Sequence, residues 1–60
     1  MTVKEFKRNI DTHWEAVKLV DEKGRFVGMA EHRGDWDEAN VKACNVIKRD
    51  GFPNFYVVTI

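Results

Sequence analysis

The sequence predicts a small α+β domain, a two-layer sandwich with the element order α-β-β-α-β. A helix at residues 35–49 is expected to pack on a three-stranded, mainly antiparallel sheet. Three observations predict this fold: a glycine-containing turn between two apolar runs, apolar residues at helical spacing after Asp35, and a terminal run of β-branched and aromatic residues. At 60 residues the chain has room for one core, so we expect a single domain over residues 1–60.

The first element is predicted to be a short helix over residues 2–10. Thr2 is followed three residues later by Glu5, as in a capping box, and Val3, Phe6 and Ile10 recur at helical spacing. A strand is the alternative here, because about two turns of helix are marginal without tertiary contacts.

A β-hairpin is predicted next, from strands at residues 14–20 and 26–30. Residues 21–24 fit a type I turn in which Gly24 adopts a positive φ and closes a bulged hairpin. The register that follows places Val20 opposite Phe26, Leu19 opposite Val27 and Val17 opposite Met29. Both faces of this hairpin are apolar, so we expect its second face to be covered by the first helix, another chain or a ligand.

The helix predicted at residues 35–49 has the most signals in its favour. Asp35 is placed as its N-cap with Glu38 in the capping-box position, and Gly51 is placed to end it in the left-handed conformation. The apolar residues at helical spacing are Trp36, Ala39, Ala43, Val46 and Ile47.

The last six residues, 55–60, are all β-branched or aromatic and predict a C-terminal strand. Its place in the sheet is open, beside either the first or the second strand. If this strand lies at the sheet edge, its free backbone groups offer a route to a homodimer or to pairing with a partner's strand.

Composition and charge narrow the classes of function. Hydrophobic residues make up 43% of the chain and charged residues 33%, and ten basic side chains balance ten acidic ones. This balance disfavours a general binder of phosphate backbones. The single Cys44 forms no internal disulfide, and no window is apolar enough for a signal peptide or a membrane span, so we expect a cytoplasmic protein that does not enter a membrane.

The motifs of catalysis and cofactor binding are missing from the sequence. His13, His32 and Cys44 match no zinc spacing, the acidic residues lack a calcium-loop pattern, and the glycines are too scattered for a phosphate cradle. We therefore expect no catalytic residues, no metal and no cofactor, and a protein that is not an enzyme.

The aromatic residues point instead to protein binding. Seven of the 60 residues are Phe, Trp or Tyr, more than one helix can cover on a three-stranded sheet. Exposed aromatic side chains supply much of the binding energy at protein interfaces. The expected contact residues are Trp14, Phe26, Arg33, Asp35, Trp36 and Tyr56.

A family resemblance extends this expectation. Residues 27–31 and 35–39, followed by Ala43, a glycine and a hydrophobic terminal strand, resemble a pattern common in very small bacteriophage-encoded proteins. Several of those proteins bind and inhibit host enzymes such as RNA polymerase or defence nucleases. The similarity covers residues 26–60 and lies in element order and composition, so no functional residue transfers. The same β-α-β outline is similar to half of a ferredoxin-like or SPOR-like domain.

The function predicted from the sequence is a non-enzymatic module of a phage or prophage that binds and modulates a host protein. One alternative is a small nucleic-acid-binding module that uses the basic ends of both helices, with Lys4, Lys7, Arg8, Lys48 and Arg49 as its candidates. The other alternative is a structural homodimer that pairs through the C-terminal strand.

Overall fold

The protein folds into a four-stranded mixed sheet with one short α-helix on one face. The computed structural model describes residues 1–32 and 34–60. Its elements are α1 (Val3–Arg8), β1 (Ala16–Val20), β2 (Phe26–Met29), a 3-10 turn (Ala30–His32), β3 (Ala43–Ile47) and β4 (Phe55–Thr59). The strand order is β2-β1-β4-β3, with β1 and β4 parallel and the other two pairs antiparallel. The α+β class is confirmed, whereas the predicted three strands and the predicted element order are wrong.

The first predicted helix is confirmed as α1, together with its capping box. The Thr2 hydroxyl accepts a hydrogen bond from the Glu5 N–H at 3.2 Å, and the Glu5 carboxylate accepts one from the Thr2 N–H at 3.0 Å. The Thr2 N–H bond and a second bond, donated by the Thr2 hydroxyl to the same carboxylate at 3.1 Å, lower the pKa of Glu5. The cap fixes where the helix starts, and Val3 at its first turn is buried.

The hairpin and its turn are confirmed, but its register differs from the predicted one. Gly24 has φ +79°, and the Asp21 N–H donates to the Arg25 carbonyl at 3.0 Å, so Val20 lies opposite Phe26 as expected. Beyond this pair a β-bulge makes Val27 an extra residue. The partners observed are therefore Leu19 with Gly28 and Lys18 with Met29.

The helix predicted at residues 35–49 is wrong. Its start signals produce one turn, in which the Asp37 N–H donates to the Gly34 carbonyl at 3.2 Å and the Ala39 N–H to the Trp36 carbonyl at 3.0 Å. The chain then extends into β3, which pairs with β4 over five consecutive residues. Valine and isoleucine lose side-chain freedom in a helix and suit a sheet, so pairing with β4 outweighs the helical spacing.

Gly51 adopts the expected left-handed conformation, with φ +77°, but in a different role. It lies in the turn between β3 and β4, where the Phe52 N–H donates to the Arg49 carbonyl at 3.2 Å. A four-residue turn with positive φ at its third residue favours glycine just as a helix end does.

The C-terminal strand is confirmed over Phe55–Thr59, but it lies inside the sheet. Its backbone pairs with β1 on one side and with β3 on the other. A homodimer through this strand, as predicted, has no free edge to use. Within the described residues the sheet edges are β2 and β3 instead.

The core lies between α1 and one face of the sheet. It consists of five buried residues, Val3, Val17, Leu19, Ala30 and Val58. Phe6 of the helix packs edge-on against Tyr56 of β4, with ring centroids 5.3 Å apart. Half-buried residues of the same cluster, such as Ile10 and Val41, extend it to its margins.

The segment at residues 34–40 is held along α1 and covers the same face of the sheet. The Val3 N–H donates to the Ala39 carbonyl at 2.9 Å and the Lys4 N–H to the Asp37 carbonyl at 3.0 Å. The Lys7 ammonium lies 2.6 Å from the Asp37 carboxylate and donates to the Ala30 carbonyl at 3.1 Å. All of the covering structure is therefore on one side.

Removing side-chain atoms from this core should lower the free energy of unfolding substantially. Leu19→Ala is expected to lower the free energy of unfolding by about 3 kcal/mol, because Leu19 is fully buried. Ile47→Ala removes the same number of atoms from a half-exposed site and is expected to lower it by less than about 1 kcal/mol. Urea denaturation followed by circular dichroism measures both. Equal losses would contradict the one-sided core.

Candidate protein-binding surface

Among the described residues, α1 and the segment at residues 34–40 pack on one face of the sheet and leave the opposite face open. Side chains alternate along a strand, so Val17 and Leu19 in the core direct Lys18 and Val20 to the other face. We call this second face the open sheet face. Its large apolar members are Val20, Phe26, Met29, Ile47, Phe55 and Val57, placed there by their strand pairings.

Apolar side chains occur on all four strands of the open sheet face and are most exposed at its two edges. Phe26 on the β2 edge is 61% exposed and Ile47 on the β3 edge is 44% exposed. Phe55 and Val57, between them on β4, are half-buried, and Val20 is buried between its strand partners. Exposed aromatic and aliphatic side chains on one face of a small domain are typical of a binding site.

Two cations accompany this apolar surface. The Lys18 ammonium lies 5.9 Å from the centroid of the Phe26 ring, within range of a cation–π interaction. Arg49 lines a shallow open hollow of about 310 Å³ together with Ile47 and Phe55. The open sheet face therefore combines apolar area with positive charge towards both of its edges.

Of the six predicted contact residues, the five that the structure describes do not lie on one surface. Phe26 lies on the open sheet face, and Trp14 is 67% exposed in the turn before β1. Trp36 is 38% exposed on the α1 side, where its Nε1 lies 3.5 Å from the position that a Cβ at residue 28 would occupy. Asp35 is exposed in the same segment, and Arg33 lies outside the described residues.

Tyr56, the sixth predicted contact residue, belongs to the covered side of the sheet. Its hydroxyl donates a hydrogen bond to the Glu15 carboxylate at 2.7 Å, while its ring packs on Phe6. This bond lowers the pKa of Glu15 and raises the pKa of Tyr56, because it favours the charged carboxylate and the neutral phenol.

Sequence reasoning missed Ile47, Phe55 and Val57 as surface residues. The predicted helix at residues 35–49 includes Ile47. The prediction for residues 55–60 does not say which side chains lie on which face of the sheet. The available signal is the composition of residues 55–60, since a strand that is apolar at both parities is typical of an interior strand.

The basic cluster predicted for nucleic acid is not assembled as expected. Lys48 and Arg49 follow β3 and do not end a helix. Lys7 on α1 is ion-paired with Asp37. The nucleic-acid alternative needs the basic ends of two helices, and of these the described residues contain only the end of α1.

Chemistry at the remaining reactive groups is limited. Cys44 is exposed on β3, and desolvation raises the pKa of its thiol, which keeps it in the weakly nucleophilic protonated form at neutral pH. Residues 1–32 and 34–60 contain no cluster of three His, Cys, Asp or Glu side chains able to hold a metal ion. Over the same ranges, no helix has the length and apolar character needed to cross a membrane.

No protein-family model, curated protein or solved structure matches this chain. The resemblance to small phage proteins stays a prediction. Part of its basis was a helix after Asp35, where the structure has a single turn and then β3.

The hydrogen bond between Tyr56 and Glu15 predicts a pH-dependent stability. Because the folded-state pKa of Glu15 is lowered, its contribution is present above the usual carboxyl pKa and is lost as pH falls through the folded value. Because that of Tyr56 is raised, its contribution is present below the usual phenol pKa and is lost as pH rises through the folded value. Tyr56→Phe should therefore lower the Tm at neutral pH and by less in acid.

Thermal unfolding of the native chain and of Tyr56→Phe, from strongly acid to neutral pH, measures the difference in Tm between them. Glu15→Gln serves as the control, since it keeps a hydrogen-bond acceptor but removes the titrating charge. A Tm difference for Tyr56→Phe that is the same at acid and neutral pH would show that the bond contributes nothing through the carboxylate.

Proposed function

We propose that the protein is a non-enzymatic protein-binding module that binds its partner through the open sheet face. The observation that supports this most directly is the exposure of two large apolar side chains on this face, Phe26 on β2 and Ile47 on β3. Within the part of the chain that the structure describes, the one α-helix packs on the other side of the sheet.

The composition of the open sheet face suits a protein partner. Its most exposed members are the aromatic Phe26 and the branched aliphatic Ile47. Phe55 and Val57 lie between them on β4, which has a neighbouring strand on each side. Because the sheet fixes these side chains, little conformational entropy is lost when a partner covers them. A preformed apolar surface of this kind gains affinity from the area it buries.

The charges indicate what the partner must offer. Lys18 lies over the Phe26 ring, and Arg49 lines a hollow with Ile47 and Phe55. A complementary partner presents an apolar patch flanked by carboxylates, which would meet these cations at the rim. The proposal that the partner is a host protein and the source a phage rests on the resemblance alone.

A matched pair of variants on β3 tests this proposal. Ile47 and Val46 are adjacent and almost equally exposed, at 44% and 45%, but they lie on opposite faces of the sheet. Ile47→Ser and Phe26→Ser should each weaken partner binding by on the order of tenfold or more, while Val46→Ser should change it by less than about twofold.

The measurement has two stages. Immobilised chain captures proteins from a cell lysate at moderate and at high salt, and the retained protein is then purified and titrated against the three variants by calorimetry. Equal weakening by Ile47→Ser and Val46→Ser would contradict binding through the open sheet face. Retention of nucleic acid alone, lost at high salt, would favour the nucleic-acid alternative.

A further inference from the structure

The outer edge of β3 is unusually suited to pairing. The strand bonds to β4 on one side only, and all five of its residues are exposed. Residues 43–47 contain no charge and no proline, two of the features by which natural edge strands discourage pairing with other chains. β3 pairs with β4 without a bulge and is therefore a regular, uncharged strand with one unused row of backbone hydrogen-bonding groups.

The other edge of the sheet is also free of charge and proline, but it is shorter and less regular. β2 has four residues, is bulged opposite Leu19 and Val20, and passes directly into the 3-10 turn. Arg25 precedes it, and the Lys18 ammonium lies over its Phe26 ring. Cations flank both edge strands, so what distinguishes β2 is its shortness and its bulge, which resist the addition of another strand. Of the two edges, β3 is the one open to a partner.

We propose that β3 pairs antiparallel with β3 of a second copy of this chain, joining two four-stranded sheets into one of eight strands. The β3–β4 pair is already antiparallel, so an antiparallel neighbour continues the pattern. Two identical antiparallel strands are related by a two-fold axis perpendicular to the sheet, which is the symmetry of the commonest protein dimers. This inference does not rest on the proposed function, because the open sheet face stays uncovered.

The residue sizes select the register in which Asn45 lies opposite Asn45 of the second copy. It aligns the whole charge-free segment, with Val46 opposite Cys44 of the second copy and Ile47 opposite its Ala43. Each half-exposed branched side chain then meets a small one on the same face. Lys42 falls opposite Lys48 of the second copy just outside the paired segment, and its ion pair with Glu22 reduces their repulsion.

Cysteine cross-linking tests both the pairing and its register. Cα atoms directly opposite in an antiparallel pair lie within the range that a disulfide spans, roughly 4.5–5.5 Å. Val46→Cys should therefore form an intermolecular disulfide with the native Cys44 under mild oxidation. Ile47→Cys, equally exposed but on the other face from Cys44, should cross-link far more slowly.

Sedimentation equilibrium from micromolar to millimolar concentration gives an independent readout. The native chain should approach twice its 7.0 kDa mass, and Asn45→Lys, which places two lysines opposite each other on the axis, should stay monomeric. Asn45→Thr is the control that keeps a neutral, strand-forming residue. Circular dichroism shows whether each variant is folded, and a folded Asn45→Lys monomer supports the proposal.

Two results would overturn it. One is a native chain that keeps its monomer mass at every concentration, which would mean that the β3 edge is unpaired or pairs with a different protein. The other is equal cross-linking by Val46→Cys and Ile47→Cys, which would indicate random collision. The two proposals can be tested separately. Phe26→Ser should lose partner binding but keep the dimer mass, because Phe26 lies on the open sheet face and not at the β3 edge.

Discussion

The parallel pairing of β1 with β4 is the constraint on which the rest of the structure depends. The two strands form the centre of the sheet, in register from Ala16 with Phe55 to Val20 with Thr59. Their inward side chains Val17, Leu19 and Val58 are fully buried. Parallel neighbours cannot be joined by a tight turn, so every residue between them serves as a crossover. The chain uses that crossover to supply both edge strands and the segment at residues 34–40 that lies along α1.

The same constraint explains why the molecule is covered on one side only. α1, the 3-10 turn and the segment at residues 34–40 all pack on one face, where they bury the five-residue core. Within residues 1–32 and 34–60, no other helix is available to pack on the second face. Two free surfaces follow from one cause: the open sheet face, which offers apolar area and two cations, and the β3 edge, which offers backbone hydrogen bonds. They suit different partners because their chemistry differs.

Local signals in the sequence predicted the local structure well. The Thr2–Glu5 capping box, the positive φ of Gly24 and the positive φ of Gly51 are all observed, because each depends on a few neighbouring residues. Whether residues 43–47 form a strand or a helix depends on their contacts with β4, some ten residues later in the chain. Intrinsic propensity alone does not decide between the two. The surface follows the same rule. An exposed Phe26 could be expected from composition. The face of the sheet on which Ile47 and Phe55 lie depends on the register of β4 with its two neighbouring strands.

Nuclear Overhauser spectroscopy of the uniformly labelled chain tests the central claim most directly. With β1 and β4 as the parallel centre and β3 beside β4, cross-strand contacts are expected between Leu19 and Val58 and between Val46 and Tyr56. Helical geometry at residues 43–47 would instead give strong contacts between successive amide protons and contacts three residues apart. Observation of that helical pattern, together with no contact between Leu19 and Val58, would contradict the sheet and with it both free surfaces.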